Sequence, residues 1–212
     1  MSRQACKGSR YYVLLTMLMA AALAIAADGA NWLGGSELLR ALRQGGYIVV
    51  MRHASSPRAT PAKETADAEN TKLERQLDDT GRTTARAMGE AIRKLKVPVG
   101  KVLVSPTYRA RLTANLAGFR TAQPVAELGD NGQSMQGADP SQANWLRAQI
   151  IQPPAKNTNT IIITHLPNVV AAFGKEWADL ADGEALVFHP DGKGSVIAVA
   201  RIKIEDWPKL GT

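Results

Sequence analysis

Apolar positions along the chain form two kinds of pattern. Short continuous apolar runs are typical of strands that are buried on both faces, and three such runs lie at residues 47–51, 102–105 and 160–164. Apolar residues at helical spacing predict helices, at residues 36–43, 79–96, 107–119, 141–151 and 167–173. Because strands and helices alternate, we expect an α/β protein: a three-layer sandwich with a mostly parallel central sheet flanked by helices.

Weaker patterns complete this prediction. Residues 124–128 are predicted as a short edge strand or an extended segment, and residues 185–188 and 196–204 as a closing hairpin around the turn Asp191-Gly192. Residues 54–76 are polar and contain two prolines, so we expect a long loop of the kind that often covers a binding site. The length of 212 residues suits a single domain.

The N-terminus has the pattern of a secretory signal peptide. Three basic residues precede an uncharged apolar stretch at residues 11–26, which ends in the small-x-small cleavage site Ala24-Ile25-Ala26. The alternative is an uncleaved membrane anchor, for which the stretch is short. We therefore expect a signal peptide at 1–26 and the folded domain at 27–212. The protein would be periplasmic or secreted, with no stable membrane association after cleavage.

Composition narrows the possible chemistry. The only cysteine, Cys6, lies in the N-terminal segment, so the folded domain is expected to lack disulfides and thiolate chemistry. The net charge of +7 falls to +4 without residues 1–26, because that segment carries three basic residues and no acid. No basic run with interleaved aromatics is present, so we expect no nucleic-acid partner. The three histidines lack the paired spacing of a zinc site, so we expect no metal and no organic cofactor.

Basic and imidazole side chains follow each of the three apolar runs. Arg52 and His53 follow the first, Arg109 follows the second, and His165 follows the third. Because strand ends line the ligand crevice of an open α/β sheet, we expect these side chains to converge. Histidine can attack phosphorus when one ring nitrogen is unprotonated, and the planar fork of arginine matches phosphate oxygens. The pattern therefore predicts a compact pocket for a phosphoryl group.

The same segments resemble those of the histidine phosphatase superfamily, whose fold is phosphoglycerate-mutase-like. The resemblance runs from about residue 47 to residue 204 and rests on motifs in the family's order: Arg52-His53-Ala54, Leu77-Asp-Asp-Thr80-Gly81-Arg82-x-x-Ala85, Ser105-Pro106-x-x-Arg109-Ala110-x-x-Thr113-Ala114 and Thr164-His165. It implies that His53 is the nucleophile that becomes phosphohistidine. It also implies that Arg52, Arg109 and His165 contact the phosphoryl oxygens.

The chain departs from the family pattern after each histidine and in the loop beyond the first one. Ala54 and Leu166 stand where the family usually has glycine. Alanine is tolerated there if the backbone does not need a positive φ, whereas Leu166 would narrow the pocket. The asparagine of the mutases is missing, and Ser55, Ser56 and Arg58 occupy that loop. These departures favour a hydrolase over a mutase, with Arg58 as a further candidate substrate contact.

The sequence leaves open which residue protonates the leaving group. The family often places this acid in a Leu-x-Glu segment, and Leu128-Gly129-Asp130 resembles it with Asp in place of Glu. Asp130 is therefore the preferred candidate. The neighbouring Glu127 and Glu184, at the start of the closing strand, are the alternatives.

The motifs together predict an exported phosphatase of the histidine acid type. It would hydrolyse small-molecule phosphomonoesters in two steps, by transfer of the phosphoryl group to His53 and then attack by water. Two alternatives stay open: a phosphohistidine-protein phosphatase, and a non-catalytic protein that binds phosphate or an anionic glycan in the same pocket. His189, in contrast, is expected to lie in an exposed turn outside the site.

Overall fold

A computed structural model of the protein describes residues 32–57, 75–130 and 139–211. Helices and strands alternate through these ranges in the order α1 (Gly35–Gln44), β1 (Ile48–Arg52), α2 (Asp79–Lys94), β2 (Val99–Val104), α3 (Tyr108–Leu116), β3 (Gln123–Pro124), α4 (Pro140–Ile150), β4 (Asn159–Thr164), α5 (Leu166–Phe173), β5 (Ala185–Pro190) and β6 (Val196–Ile202). Short 3₁₀ turns lie at Ala126–Leu128, Lys175–Trp177 and Ile204–Lys209. Each predicted helix is confirmed, with its bounds shifted by a few residues.

The strands form one mixed sheet in the order β3-β2-β4-β1-β5-β6. The first four strands in this order run parallel to one another. The closing hairpin adds β5 and β6 in antiparallel fashion beside β1. The expected α/β fold with a mostly parallel sheet and flanking helices is confirmed, and the central neighbours β1 and β4 end in the segments that carry His53 and His165.

Both faces of the sheet are covered, which explains the continuous apolar run of β1. Successive side chains of a strand point to opposite faces. Val49 and Met51 join a core cluster with the apolar residues of α2 and α3, whereas Ile48 and Val50 join a second cluster with those of α4 and α5. All four side chains are buried, so the helices are held on the sheet by apolar burial on each side.

Two local expectations are wrong. The predicted strand at 124–128 is only two residues long, because the chain then forms a 3₁₀ segment. In that segment Leu128 is buried, and its carbonyl accepts a hydrogen bond from the Thr164 hydroxyl. His189 lies within β5 and not in the turn, although it is exposed as expected. Its ring stacks on Tyr47, with the ring centroids 4.8 Å apart.

Several expectations concern parts of the chain that lie outside the described residues. These are the signal peptide at 1–26, Arg58 and most of the predicted loop at 54–76. Within the ranges that are described, no helix is both long enough and apolar enough to cross a membrane.

Candidate active site

His53 directly follows β1, and its ring is held in one orientation at the end of that strand. The side chain is buried, and Nδ1 lies 2.8 Å from the carbonyl oxygen of Ala54. Because a carbonyl only accepts hydrogen bonds, a neutral His53 ring carries its hydrogen on Nδ1. Nε2 then has an available lone pair, which is the arrangement that a nucleophilic histidine needs.

Two guanidinium groups face this nitrogen. Arg109 donates from Nε to His53 Nε2 over 3.1 Å. Nη2 of Arg75 lies 3.5 Å from the same atom, and Arg75 is steadied by a 3.1 Å hydrogen bond from its Nε to the Ser56 hydroxyl. Planar guanidinium forks on either side of a ring nitrogen form a cradle for the oxygens of a phosphoryl group.

Burial and positive charge together keep His53 neutral. Desolvation lowers the pKa of His53 well below its ordinary value, and the nearby His165 and Arg109 lower it further, while the hydrogen bond to the Ala54 carbonyl opposes the shift. A histidine with a lowered pKa stays unprotonated at neutral pH. The ring is therefore in the form that can attack phosphorus.

His165 stands beside His53 at the end of β4, with the two ring centroids 5.2 Å apart. Its Nε2 lies 2.8 Å from the Ser105 hydroxyl and 3.3 Å from that of Thr107, while Nδ1 lies 3.2 Å from Nη2 of Arg109. Desolvation, followed by the charge of Arg109, lowers the pKa of His165 well below its ordinary value. Hydroxyls that follow β2 thus fix the orientation of the second imidazole.

The side chain of Arg109 joins His53, His165 and Asp130 in one buried group. Its Nη2 pairs with Oδ2 of Asp130, and both side chains are only 1% exposed. The same carboxylate oxygen lies 3.8 Å from Nδ1 of His165. Arg109 is placed by α3, where Thr113, one helical turn later, bonds to the Arg109 carbonyl and accepts from the Ala54 amide.

The backbone before Asp130 is fixed by side-chain amides from two helices. Nδ2 of Asn168 in α5 and Nε2 of Gln142 in α4 both donate to the Gly129 carbonyl, over 2.9 and 3.1 Å. These contacts hold the Asp130 carboxylate beside the histidines. Of the three carboxylates considered as the acid, it is the one whose described contacts include Arg109 and His165.

The other two carboxylates are directed elsewhere. Glu184 is buried and accepts from Arg201 Nε at 2.5 Å and Nη2 at 2.8 Å, which is the geometry of a structural ion pair. For Glu127 the described contact is made by its backbone carbonyl, which accepts from Asn168. Neither residue is brought into contact with the histidines by the described interactions.

Arg52 lies at the edge of the group, and its guanidinium turns toward the segment at 179–184. Nη1 donates to the Leu180 carbonyl over 3.0 Å, and Nη2 lies 2.6 Å from Oδ1 of Asp182. Its charge still contributes to the lowered pKa of His165. The described contacts of Arg52 thus lie in the segment at 179–184, with an acidic partner that sequence reasoning did not indicate, and its contact with the phosphoryl oxygens stays a prediction.

The departures from the family pattern are accommodated locally. Ala54 is fully buried, and its backbone φ is not positive, so glycine is not required there. Leu166 is half-buried and packs against the core cluster on the α4 and α5 face. Arg75, the basic residue that sequence reasoning missed, lies only four residues before Asp79, where α2 begins.

The group contains a nucleophile, cations and a carboxylate, and lies at the carboxyl end of the parallel strands. His165 also precedes α5, whose N-terminus favours a bound anion. Over the described ranges there is no group of three or more His, Cys, Asp and Glu side chains that could hold a metal ion. Chemically, the arrangement can bind a tetrahedral oxyanion and attack its central atom.

Comparison with known proteins agrees with this geometry. Residues 48–130 match the family model described as the histidine phosphatase superfamily (branch 1), which confirms the resemblance over the segment that contains His53, Arg109 and Asp130. No curated protein matches the chain.

Solved structures share the fold at low sequence identity. The protein histidine phosphatase SixA complexed with tungstate is 19% identical, with a TM-score of 0.54 over 76% of this chain and 98% of that one. A putative alpha-ribazole-5'-P phosphatase from Escherichia coli is 12% identical, with a TM-score of 0.53 over 76% and 98%. Bacillus stearothermophilus YhfR is 14% identical, with a TM-score of 0.51 over 73% and 95%. The sheet and its flanking helices are thus those of phosphoglycerate-mutase-like proteins.

Proposed function

We propose that this chain, whose residues 48–130 match the histidine phosphatase superfamily model and whose fold is phosphoglycerate-mutase-like, hydrolyses phosphate monoesters through a phosphoryl group carried on His53. One observation carries the proposal. Nδ1 of His53 is tied to the Ala54 carbonyl, while Nε2 faces the guanidinium groups of Arg109 and Arg75. The nucleophile therefore points into the place where cations would hold its phosphorus target.

In the first step, Nε2 of His53 attacks phosphorus, the N–P bond forms and the bond to the leaving oxygen breaks. Negative charge on the equatorial oxygens is stabilised by Arg109, Arg75, Arg52 and His165. Asp130 gives its proton to the leaving oxygen. This step needs Asp130 in its protonated form.

In the second step, a water molecule attacks the phosphoryl group of phosphohistidine. The N–P bond breaks, and its electron pair returns to Nε2 of His53. Asp130, now ionised, accepts the proton of the attacking water and is ready for the next turnover. Inorganic phosphate is released, and no group beyond the chain's own side chains and water takes part.

The substrates and the location belong to the same proposal. The signal-like N-terminus supports an exported or periplasmic enzyme that acts on small phosphomonoesters. Arg58, two residues beyond Ser56, would contact the substrate from the loop after His53. No nucleic acid or metal is needed for the reaction as written.

A second substrate class is a phosphorylated histidine of another protein. It is favoured by the shared fold with the protein histidine phosphatase SixA. The leaving atom would then be an imidazole nitrogen in place of an oxygen. The two classes are distinguished by comparing kcat/KM for a phosphohistidine-containing protein with that for small phosphomonoesters.

The test of the proposed function is turnover of a generic aryl phosphate by the full chain from pH 4 to pH 8. The account predicts release of phosphate by the wild type and loss of activity by at least about 10³-fold in His53→Ala, because the nucleophile is removed. His189→Ala is the matched control, since that histidine is exposed and outside the site, and it should retain activity. Absence of turnover in the wild type would favour the non-catalytic anion-binding alternative.

A further inference from the structure

Asp182 forms an ion pair with one of the arginines of the site. Its Oδ1 lies 2.6 Å from Nη2 of Arg52, whose side chain is 10% exposed while that of Asp182 is 29% exposed. Nη1 of the same guanidinium donates to the Leu180 carbonyl. The segment at 179–184 therefore supplies Arg52 with a carbonyl that accepts a hydrogen bond and with a carboxylate that forms an ion pair.

The position of this segment is fixed by a second ion pair. Arg201, in β6, makes a two-pronged contact with Glu184 and also bonds to the Asp179 carboxylate, at 3.0 and 3.1 Å. Oε2 of Glu184 in turn accepts from the Ala181 amide at 2.8 Å. A bidentate ion pair between the buried Glu184 and the half-buried Arg201 therefore ties the segment that contains Asp182 to the sheet.

The backbone links the same segment to the nucleophile. The Gly183 amide donates to the His53 carbonyl over 2.8 Å, and the Arg52 amide donates to the Glu184 carbonyl over 3.1 Å. Gly183 has φ +74°, and a Cβ there would come within 2.8 Å of the Ile204 side chain. A positive φ and a close neighbour both require glycine at this position, and the two backbone hydrogen bonds connect the segment that contains Asp182 directly to Arg52 and His53.

The backbone of Arg52 lies next to both histidine-bearing strand ends. It directly precedes His53 and is paired in the sheet with Thr164, the residue before His165, and the His53 amide donates to the Thr164 carbonyl over 3.0 Å. The charge of Arg52 also acts on the site, because it contributes to the lowered pKa of His165. A carboxylate in contact with its guanidinium reduces the positive potential that an anion in the pocket experiences.

We propose that Asp182 is a specificity-determining residue that partly neutralises Arg52 and so weakens the binding of inorganic phosphate, the product of the reaction. This rests on the proposed function, in which a dianion surrounded by several cations must leave at every turnover. The carboxylate reduces the attraction for free phosphate, while the hydrogen bond to the Leu180 carbonyl keeps the guanidinium in position. Uniformly tight binding of an anion would not accelerate the chemical step and would slow release.

The test is the dissociation constant of inorganic phosphate, measured by calorimetry with the full chain and checked by competition against an aryl phosphate. Asp182→Asn keeps an oxygen acceptor for Arg52 but removes the charge, so we expect phosphate to bind about fivefold more tightly. Asp179→Asn is the matched control. It removes an acid of the same segment that pairs with Arg201 and not with Arg52, and it should leave the dissociation constant within about twofold.

A second background tests whether the effect acts through Arg52. When Asp182→Asn is added to Arg52→Ala, phosphate affinity should change less than twofold, because the arginine that Asp182 neutralises is then absent. An unchanged or weaker affinity in Asp182→Asn alone, or an equal gain in the Arg52→Ala background, would overturn the inference. Failure of the proposed function looks different: the wild type would then not turn over the aryl phosphate, whatever the effect of Asp182→Asn on phosphate affinity. Thermal unfolding of each variant establishes that it is folded.

Discussion

At the scale of single residues, the chemistry depends on which nitrogen of each histidine points into the group. Nδ1 of His53 contacts a carbonyl and leaves Nε2 for phosphorus, whereas Nε2 of His165 contacts the Ser105 hydroxyl and leaves Nδ1 toward Arg109. The two rings therefore present opposite nitrogens to the same space. In the proposed function, His53 would act as the nucleophile, and His165 would contact the phosphoryl oxygens once a bound dianion favours its protonated form.

Arg75→Gln tests the contribution of the third arginine. A charged hydrogen bond contributes about 1.5–3 kcal/mol, so loss of the guanidinium should lower kcat/KM for an aryl phosphate by roughly 10- to 150-fold. Arg86→Gln, at an exposed position of α2, is the matched control and should remain within twofold of wild type. Equal kinetics of Arg75→Gln and wild type would remove Arg75 from the phosphoryl site.

Asp130→Asn tests the proton donor. If Asp130 protonates the leaving oxygen, the variant should lose about 10²–10⁴-fold in kcat for phenyl phosphate, which has a basic leaving group, and much less for p-nitrophenyl phosphate. The measurement is the dependence of kcat on the leaving group for wild type and variant. An equal loss with both substrates would indicate that Asp130 acts only by holding Arg109.

The residues of the site differ in how far the sequence could predict them. His53, Arg109 and His165 each follow an apolar run, so the sheet model alone brings them together. Arg75 lies in a polar stretch without periodicity, so its proximity to His53 becomes visible only in the structure, where the chain approaches His53 just before α2. Asp182 was missed for a similar reason, because its contact with Arg52 depends on a turn fixed by distant Arg201.

At the scale of elements, close contact between α2 and neighbouring backbone explains two glycines that in the sequence only lower the helix propensity. A Cβ at Gly89 in α2 would lie 2.0 Å from the Ala117 carbonyl oxygen, just after α3. At Gly81 it would lie 2.2 Å from the Ser55 carbonyl oxygen, two residues after His53. The two glycines lower the helix propensity of α2 but let it pack closely against the backbone at Ala117 and at Ser55. The hydrophobic pattern of the sequence does not reveal those neighbours.

Gly89→Ala is predicted to destabilise the protein although alanine is the better helix former. The gain in propensity is about 1 kcal/mol, while forcing α2 away from α3 should cost more, giving a net loss of about 1–3 kcal/mol. Glu90→Ala, at an exposed position of the same helix, serves as the control and should change stability by less than about 0.5 kcal/mol. Urea unfolding measures both, and a Gly89→Ala variant more stable than wild type would contradict this packing.

At the scale of the whole molecule, sheet topology joins distant parts of the chain into one site. The order β2-β4-β1 places the segments after three parallel strands at the same edge, so residues 53, 109 and 165 become neighbours. This much follows from alternating strands and helices. The antiparallel hairpin beside β1, with Arg201 on its outer strand, adds the segment at 179–184 that contacts Arg52.

Burial of two neutral histidines should make the whole fold sensitive to acid. The pKa of His53 and of His165 is lowered in the folded state, so the unfolded chain binds more protons below about pH 6.5 and stability falls as the pH decreases. Each histidine contributes a slope of up to about 1.4 kcal/mol per pH unit. Urea unfolding in phosphate-free buffer from pH 7.5 to 5 should show a shallower slope for His53→Asn than for wild type. Equal slopes would contradict the assigned environment of His53.

The most direct test of the central claim is isolation of the phosphoenzyme. The full chain is mixed with a ³²P-labelled aryl phosphate, quenched in denaturant within one turnover, and mapped by mass spectrometry. The account predicts a label that is labile in acid, stable in base, located on His53 and absent from His53→Ala. Phosphate release without any such intermediate, or a label that persists in His53→Ala, would contradict the assignment of His53 as the nucleophile.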